Sequence, residues 1–191
     1  MMRLTLLKRA PQTDEQLMIR AAHGSQRAFE ELYNRYAPRL QGFFLRQLSG
    51  DRELAADFTH DVFLRLFEAR RTYREGRMVA PWLFTIAYNL CRNRYRRAQT
   101  EADFMASLQT DGAETSPVEV ELDAQTLDNA LQNVLQSLPA EARMLFSLHY
   151  EEELSAADCA RIVGIPEGTV KSRLHKTITV IKQKLKKYED H

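Results

Sequence analysis

The side chains best suited to chemistry in this 191-residue chain lie between Leu154 and Leu185. Ser155 can cap a short helix, Gly164 can end it, and Pro166 fits the first turn of a second helix. Apolar residues recur every three or four positions along that second helix and form one stripe. Polar residues lie off the stripe near its start: Thr169, Lys171, Ser172, Arg173, His175 and Lys176. This pattern predicts a helix-turn-helix whose second helix contacts bases and phosphates in the major groove of DNA.

The same stretch has a plainer interpretation, in which a solvated basic face covers an ordinary helical hairpin. Basic faces are common on helices, so the charge alone would favour that interpretation. The turn residues Gly164 and Pro166 and the placement of Arg173 and Lys176 favour DNA binding instead. We therefore expect this stretch to bind DNA.

A second candidate for nucleic-acid binding lies towards the end of a helix that begins at Pro81. Four arginines occur within the six residues 92–97, with asparagine and tyrosine between them. Guanidinium groups bind phosphate, aromatic rings stack on bases, and amides bond base edges, so the pattern favours single-stranded or melted DNA. A helix C-terminus also attracts cations, but usually one or two of them. The candidate residues are Asn89, Arg92, Asn93, Arg96 and Arg97.

Composition limits the class of protein. Apolar residues recur mostly at helical spacing, which predicts an all-α protein of one or two domains. No segment approaches the ~18 apolar residues of a membrane span, so we expect no membrane insertion. Cys91 and Cys159 lie far apart, with no spacing typical of metal ligands. These features predict a reduced, cytoplasmic protein without a metal or a cofactor.

The distribution of charge predicts the domain organisation. Residues 1–97 contain 18 Lys and Arg against 10 Asp and Glu, although the net charge of the whole chain is only +1. Residues 98–129 contain 8 acidic residues and no basic ones. We therefore expect two small helical domains, at residues 13–97 and 124–188, joined by an acidic, flexible linker over residues 98–123. The basic N-terminal block favours nucleic acid as its partner.

The helices that would position these residues have recognisable starts. In the N-terminal block, helices are predicted to begin near Thr13, Ser25, Asp51 and Pro81. The helix that follows Asp51 has a second side, outside its inward-facing apolar stripe, that is predicted to face outward. The residues of that side are Asp57, His60, Asp61 and Leu64.

Region for region, the chain resembles the extracytoplasmic-function (ECF) group of bacterial sigma-70 family sigma factors. The resemblance covers roughly residues 15–97 and 124–186. Its most specific parts are the WLFTIA–N–RR pattern within PWLFTIAYNLCRNRYRR and the phrase GIPEGTVKSRLHK. Together they are far more specific than an isolated helix-turn-helix.

The resemblance implies a promoter-specificity subunit that acts with core RNA polymerase and catalyses nothing itself. Asp57, His60, Asp61 and Leu64 would lie on the side that docks on the clamp helices of the polymerase. The loop before Pro81 and the Asn89–Arg97 group would recognise and melt the −10 element. Residues Thr169 to Lys176 would read the −35 element, and an anti-sigma factor would be an expected partner.

The docking helix departs from the family pattern at two positions. His60 stands where the family usually has glutamine, and Ala56 where it often has glutamate. Because Thr59 follows Ala56 by three positions, a phosphate on Thr59 could supply the missing negative charge. The sequence therefore raises the hypothesis that a regulatory kinase modifies Thr59.

Two other classes of function compete with this interpretation. A free-standing helix-turn-helix regulator would need a sensor domain, yet the N-terminal block uses its polar residues in an Arg/Asn-rich helix. A DNA-processing enzyme would need clustered carboxylates, an activated nucleophile or a phosphate-binding glycine loop. We find none of these patterns in the sequence and expect no enzymatic activity.

Overall fold

The computed structural model describes residues 12–108 and 127–189, with side chains for residues 12–102 and 130–186. Every regular element in these ranges is a helix or a helical turn, which confirms the all-α class. The α-helices are α1 (Asp14–Ala22), α2 (Gln26–Gln47), α3 (Arg52–Ala69), α4 (Val79–Leu108), α5 (Leu127–Gln136), α6 (Ala140–Phe146), α7 (Ala156–Val163) and α8 (Glu167–Glu189). A 3₁₀ turn, Arg70–Thr72, follows α3, and a π-helical turn, Ser147–Glu151, follows α6.

Side-chain caps fix where several helices begin. The Ser25 hydroxyl accepts a hydrogen bond from the Ala28 amide at 3.3 Å, and the Asp51 carboxylate accepts one from the Leu54 amide at 3.0 Å. Thr13 forms a reciprocal capping box with Gln16. Each cap satisfies an amide that has no partner within its own helix, which explains the sharp starts of α1, α2 and α3.

Helix α4 is longer than the sequence pattern predicts. It continues to Leu108, so the prediction of little structure from residue 98 is wrong for residues 98–108. These residues lose the apolar period, but alanine, glutamine, glutamate, methionine and leucine are good helix formers and neither proline nor glycine interrupts them. The rest of the predicted linker, and the predicted domain start at residue 124, lie outside the described residues.

The C-terminal helices share an apolar core with the N-terminal ones. Helix α4 packs against α7, and α2 and α4 both contact α6. One continuous cluster contains Leu40 and Phe84 from the N-terminal helices together with Met144 and Leu148 from the C-terminal helices. A smaller cluster lies between α5, α6 and α8: Val134, Leu135, Leu138, Phe146 and Ile181. The division into two independently folding domains therefore stays a prediction.

Replacing Leu148 tests the importance of this shared core. Leu148 is fully buried, so Leu148→Ala should lower the free energy of unfolding by about 2–5 kcal/mol through lost contacts and a cavity. Leu64 is 47% exposed, so Leu64→Ala should change it by about 0.5 kcal/mol or less. Urea unfolding followed by circular dichroism gives both values. Equal effects of the two substitutions would contradict the shared core.

Candidate nucleic-acid interface

The turn between α7 and α8 has the geometry of a helix-turn-helix. The Ser155 hydroxyl accepts from the Asp158 amide at 3.0 Å and caps α7 at its start. At its end, Gly164 adopts a left-handed conformation with φ +79°, and the amides of Gly164 and Ile165 both donate to the Ala160 carbonyl. A side chain at Gly164 would strain this conformation, so the glycine sets the direction in which α8 leaves the turn.

Helix α8 presents one buried and one exposed side at its N-terminal end. Val170 and Leu174 are buried, which fixes the rotation of the helix about its axis. The predicted DNA-contacting residues lie on the remaining surface, with Thr169 half-buried and the others exposed: Lys171, Ser172, Arg173, His175 and Lys176. The structure therefore brings all six predicted residues onto the accessible part of one helix.

Two of these cations are paired with carboxylates. Lys171 Nζ lies 2.6 Å from Glu167 Oε1, and Arg173 Nη1 lies 3.4 Å from Glu141 Oε2 on α6. All four side chains are at least 46% exposed, so each pair contributes little net free energy and exchanges easily for a phosphate. Nothing in the sequence indicated that Glu141 pairs with Arg173, because the two residues lie 32 positions apart.

The second predicted group lies along the C-terminal half of α4. Arg92, Asn93, Arg96 and Arg97 are exposed and Asn89 is half-buried, so this group also shares an accessible surface. An open depression of about 440 Å³ lies beside it, lined by Asn93, Arg96, Arg97, Thr100 and Glu101. The last two lining residues were missed because they fall in the segment that was predicted to be a linker.

The two tyrosines of α4, Tyr88 and Tyr95, face the interior. Tyr88 is buried, and the half-buried Tyr95 donates its hydroxyl hydrogen to the Gln47 carbonyl while accepting from Arg143 Nη2 at 3.0 Å. The guanidinium of Arg92 lies 5.9 Å from the Tyr88 ring centre. In this arrangement neither tyrosine offers a free ring face to a base, and the accessible groups of the candidate set on α4 are cations and amides.

A further cationic segment precedes α4 and was not singled out residue by residue from the sequence. Its exposed arginines are Arg71, Arg74 and Arg77. The Tyr73 and Trp82 rings stack with centres 5.8 Å apart, and the Arg77 guanidinium lies 4.5 Å from the Trp82 ring centre. The signal in the sequence was the density of arginine between residues 70 and 77. The ring stack holds this segment against the start of α4.

The two cationic surfaces lie close together. Burial raises the pKa of the Tyr88 phenol, the charge of Glu141 raises it further, and the charges of Arg92 and Arg173 lower it. Helix α4 packs against α7, which leads through the Gly164 turn into α8. Val170 and Leu174 at the start of α8 belong to the same apolar cluster as Tyr88 of α4.

Comparison with known proteins matches this geometry to a family. The sigma-70 region 2 family model matches residues 32–101, and the sigma-70 region 4 model matches residues 128–178. The RNA polymerase sigma factor CarQ of Myxococcus xanthus is 32% identical over 90% of this chain and 97% of its own length. The chain belongs to the ECF group of the sigma-70 family. It is thus an RNA polymerase sigma factor.

Other sigma factors agree with this assignment. The ECF sigma factor SigW of Bacillus subtilis is 29% identical over 85% of this chain and 91% of SigW. Among solved structures, the Bartonella quintana sigma factor RpoE in complex with the anti-sigma factor NepR has a TM-score of 0.65 at 23% identity, covering 83% of this chain and 96% of RpoE. CnrH in complex with the cytosolic domain of CnrY has a TM-score of 0.66 at 23% identity, covering 91% and 97%. These two structures share the fold of this sigma factor.

The predicted docking side of the sigma factor lies on α3. Asp57, His60 and Leu64 are exposed and Asp61 is half-buried, so the four residues share one helix face. An apolar surface adjoins it, in which Phe67 is 45% exposed and packs edge-to-face on Phe29 with ring centres 5.5 Å apart. Tyr33, which is 43% exposed, belongs to the same surface.

The position of Thr59 argues against the hypothesis that a kinase modifies it. Thr59 is only 6% exposed, and its hydroxyl donates to the Ala55 carbonyl at 2.8 Å. Three positions along a helix leave about 60° between side chains, which is enough to place Ala56 on the surface and Thr59 in the interior. In this packing the hydroxyl is not exposed to a modifying enzyme.

Within residues 12–108 and 127–189, no helix is long and apolar enough to cross a membrane. No group of three or more His, Cys, Asp or Glu side chains in those ranges is arranged to hold a metal ion.

Burial of Thr59 predicts that a charge at this position disrupts the fold. Thr59→Glu should lower the free energy of unfolding by about 3 kcal/mol or more, because the carboxylate would lose its hydration without gaining a partner. Ala56→Glu is the matched control on the exposed side and should change stability by about 0.5 kcal/mol or less. Urea unfolding measures both; a stable Thr59→Glu protein would contradict the burial of this position.

Proposed function

We propose that this sigma factor docks on core RNA polymerase through α3 and reads a promoter with two surfaces. The −10 surface consists of Asn89, Arg92, Asn93, Arg96 and Arg97 on α4. The −35 surface consists of Thr169, Lys171, Ser172, Arg173, His175 and Lys176 on α8. The observation that carries the proposal is that both groups are accessible on rigid, well-packed helices.

The chemistry of the −35 surface suits duplex DNA. Residues at the start of a recognition helix reach base edges in the major groove, and the planar guanidinium of Arg173 can bond a guanine bidentately. Lys176 carries a point charge one turn closer to the C-terminus, which suits a phosphate oxygen. We assign base reading to Arg173 and backbone affinity to Lys176.

The chemistry of the −10 surface suits single-stranded DNA in a melted promoter. Asn89 and Asn93 lie four positions apart, so both amides project from one side of α4 towards base edges. Arg96 and Arg97 follow one turn later and suit the phosphates of the same strand. The arginine-rich segment over residues 71–77 lies at the other end of the helix and extends the cationic surface.

The partners follow from the docking side of α3. Asp57 and Asp61 offer carboxylates, and Leu64 and Phe67 offer exposed apolar area beside them. This combination favours a basic, amphipathic helical surface, which we assign to the clamp helices of core RNA polymerase. RpoE was solved in complex with the anti-sigma factor NepR, and we infer that an anti-sigma factor also holds this protein inactive. The factor would act with the polymerase in the cytoplasm, without catalysing a reaction itself.

A reconstituted transcription reaction tests the function as a whole. Core RNA polymerase with this protein should initiate at a promoter carrying matched −10 and −35 elements, whereas core alone should not. Initiation independent of this protein would contradict the proposal. Stable binding to the promoter without core polymerase, and no effect on initiation, would favour the free-standing regulator.

Loss of Arg173 should weaken recognition of the −35 element specifically. We expect Arg173→Ala to reduce promoter binding by about 1–3 kcal/mol, which is the range for one bidentate base contact. Lys176→Ala should instead weaken binding similarly on all sequences. It should also reduce the slope of log affinity against log salt concentration by about one. Binding of the reconstituted holoenzyme to promoter variants at several salt concentrations measures both effects.

The control for this measurement lies on the same helix. Lys186 is exposed near the end of α8, about three turns beyond the predicted contacts, so Lys186→Ala should leave −35 recognition unchanged. If Arg173→Ala and Lys176→Ala behaved like this control, the recognition face of α8 would have been assigned wrongly.

Substitution of the two amides should impair reading of the −10 element. Asn89→Ala and Asn93→Ala should each lower initiation on duplex promoters, and on a premelted bubble should lose discrimination between natural and altered −10 bases. Arg96→Ala should lower affinity for the bubble without changing base preference, because a phosphate contact carries no sequence information. Unchanged base preference in both asparagine variants would contradict the assignment.

A further inference from the structure

A carboxylate of α1 holds the start of α4, although the two residues lie 64 positions apart. Glu15 is half-buried, and its Oε1 accepts a hydrogen bond from the main-chain amide of Val79 at 3.4 Å. Val79 is the first residue of α4 and is fully buried. The first amides of a helix have no partner within it and carry partial positive charge, so a carboxylate stabilises them. Glu15 therefore caps a helix to which it does not belong.

Helix α1 is itself fixed by the residue before Glu15. Asp14 Oδ1 lies 2.8 Å from Arg35 Nη1, and Asp14 Oδ2 accepts from the Tyr36 hydroxyl at 2.5 Å. Successive side chains point about 100° apart around a helix, so these two neighbours reach different partners. Asp14 binds α2 and Glu15 binds α4, and α1 thereby joins the two longer helices.

The bond to Val79 lies at the end of a short loop, residues 73–78, which we call the arginine loop. The Arg77 amide donates to the Arg74 carbonyl at 3.1 Å. Between them Gly76 has φ +86°, a conformation that turns of this kind require at their third residue. The Tyr73 hydroxyl also donates to the Arg77 carbonyl. These bonds fix the shape of the loop, and they leave its direction relative to α4 to be set by its ends.

Helix α1 lies against the chain on both sides of the arginine loop. It contacts the 3₁₀ turn that precedes the loop, as well as the start of α4 that follows it. Burial raises the pKa of the Tyr73 phenol, and the charge of Glu15 raises it further, whereas the charge of Arg77 lowers it. Glu15 therefore lies near the first residue of the loop and bonds the residue that follows its last.

We propose that Glu15 is a positioning residue for the −10 surface and holds the arginine loop in the conformation that meets promoter DNA. The inference rests on the proposed assignment of that surface, which this loop extends. The loop exposes Arg74 and Arg77 together with Met78, which is 50% exposed. The cations suit phosphates, and the methionine offers apolar contact to a base or sugar. Glu15 acts through Val79 and the loop and does not need to touch DNA.

The benefit of such an anchor is a loop that is ordered before it binds. An ordered loop loses little conformational entropy on binding, so more of its contact energy appears as affinity. Without the Glu15 bond, the loop would sample several directions relative to α4. Contacts to base edges need closer placement than contacts to phosphates, which carry no sequence information. Loss of Glu15 should therefore reduce discrimination between bases more than it reduces total affinity.

The fluorescence of Trp82 reports the position of the loop in the free protein. Trp82 is the single tryptophan of the chain and is 8% exposed, with the Tyr73 ring stacked on it and the Arg77 guanidinium beside it. Glu15→Ala should raise the Stern–Volmer constant for acrylamide quenching about twofold, because local opening of the loop uncovers the ring. Glu15→Gln keeps an oxygen that can accept from the Val79 amide, so its increase should be smaller.

Two further variants separate the anchor from a general effect of charge or stability. Glu75→Gln removes an exposed carboxylate of the loop itself and should be quenched like the natural sequence. Tyr73→Phe keeps the ring but loses the bond to the Arg77 carbonyl, so it should raise quenching without any change in α1. Circular dichroism shows whether each variant is folded, and Glu15→Gln takes the place of an unfolded Glu15→Ala. Equal quenching of the Glu15 variants and Glu75→Gln would overturn the anchor.

Binding to a premelted promoter bubble tests the positioning role. Holoenzyme assembled with Glu15→Ala should lose at least about threefold in the ratio of affinities for natural and altered −10 bases, a part of what one good base contact supplies. A purely structural role would lower the active fraction and reduce both affinities by the same factor, so the ratio would not change. Raised quenching with an unchanged ratio would overturn the positioning role.

The two measurements also separate this inference from the proposed function. Failure of the natural sequence to support initiation with core polymerase would reject the proposed function. Quenching of Trp82 needs neither polymerase nor DNA, so it would still decide whether Glu15 holds the arginine loop.

Discussion

The positions of both cationic surfaces depend on the packing of one helix, α4. Its fully buried side, which includes Leu83, Phe84 and Ala87, fixes its rotation in the N-terminal core. The asparagines and arginines that follow are thereby turned towards solvent. The same helix packs against α7, whose end at Gly164 sets the direction of α8. One helix therefore positions the proposed −10 surface directly and the proposed −35 surface through a single turn.

Local signals in the sequence predicted much of this structure. Ser25, Asp51 and Ser155 cap the helices that they were predicted to cap, because a cap depends on two or three neighbouring residues. The candidate DNA-contacting residues are accessible because the apolar stripe of each helix defines its opposite side. All-α architecture and family membership followed from the same periodic pattern and from two specific motifs.

Features that depend on distant residues could not be predicted in this way. Arg39 and Glu152 pair across 113 positions, and nothing in the surroundings of Arg39 distinguishes it from the arginines of α4. The sequence pattern placed Thr59 on the surface beside Ala56. The two side chains point about 60° apart around the axis of α3, and that angle places Ala56 on the surface and Thr59 in the interior. The helical residues 98–108 were missed because helix propensity persists where the apolar period ends.

Ion pairs between distant segments change the charge that DNA would meet. Arg39 and Arg46 belong to the basic N-terminal helices, but they pair with Glu152 and Glu151 from the C-terminal helices. The count of charge along the sequence therefore overstates the positive charge that the N-terminal block offers to a polyanion. The exposed arginines of α4 and of the segment before it, which include Arg77, Arg92 and Arg96, supply the accessible positive charge instead. Since each phosphate contact releases counterions from DNA, the salt dependence of binding should reflect these accessible cations and not the total charge of the block.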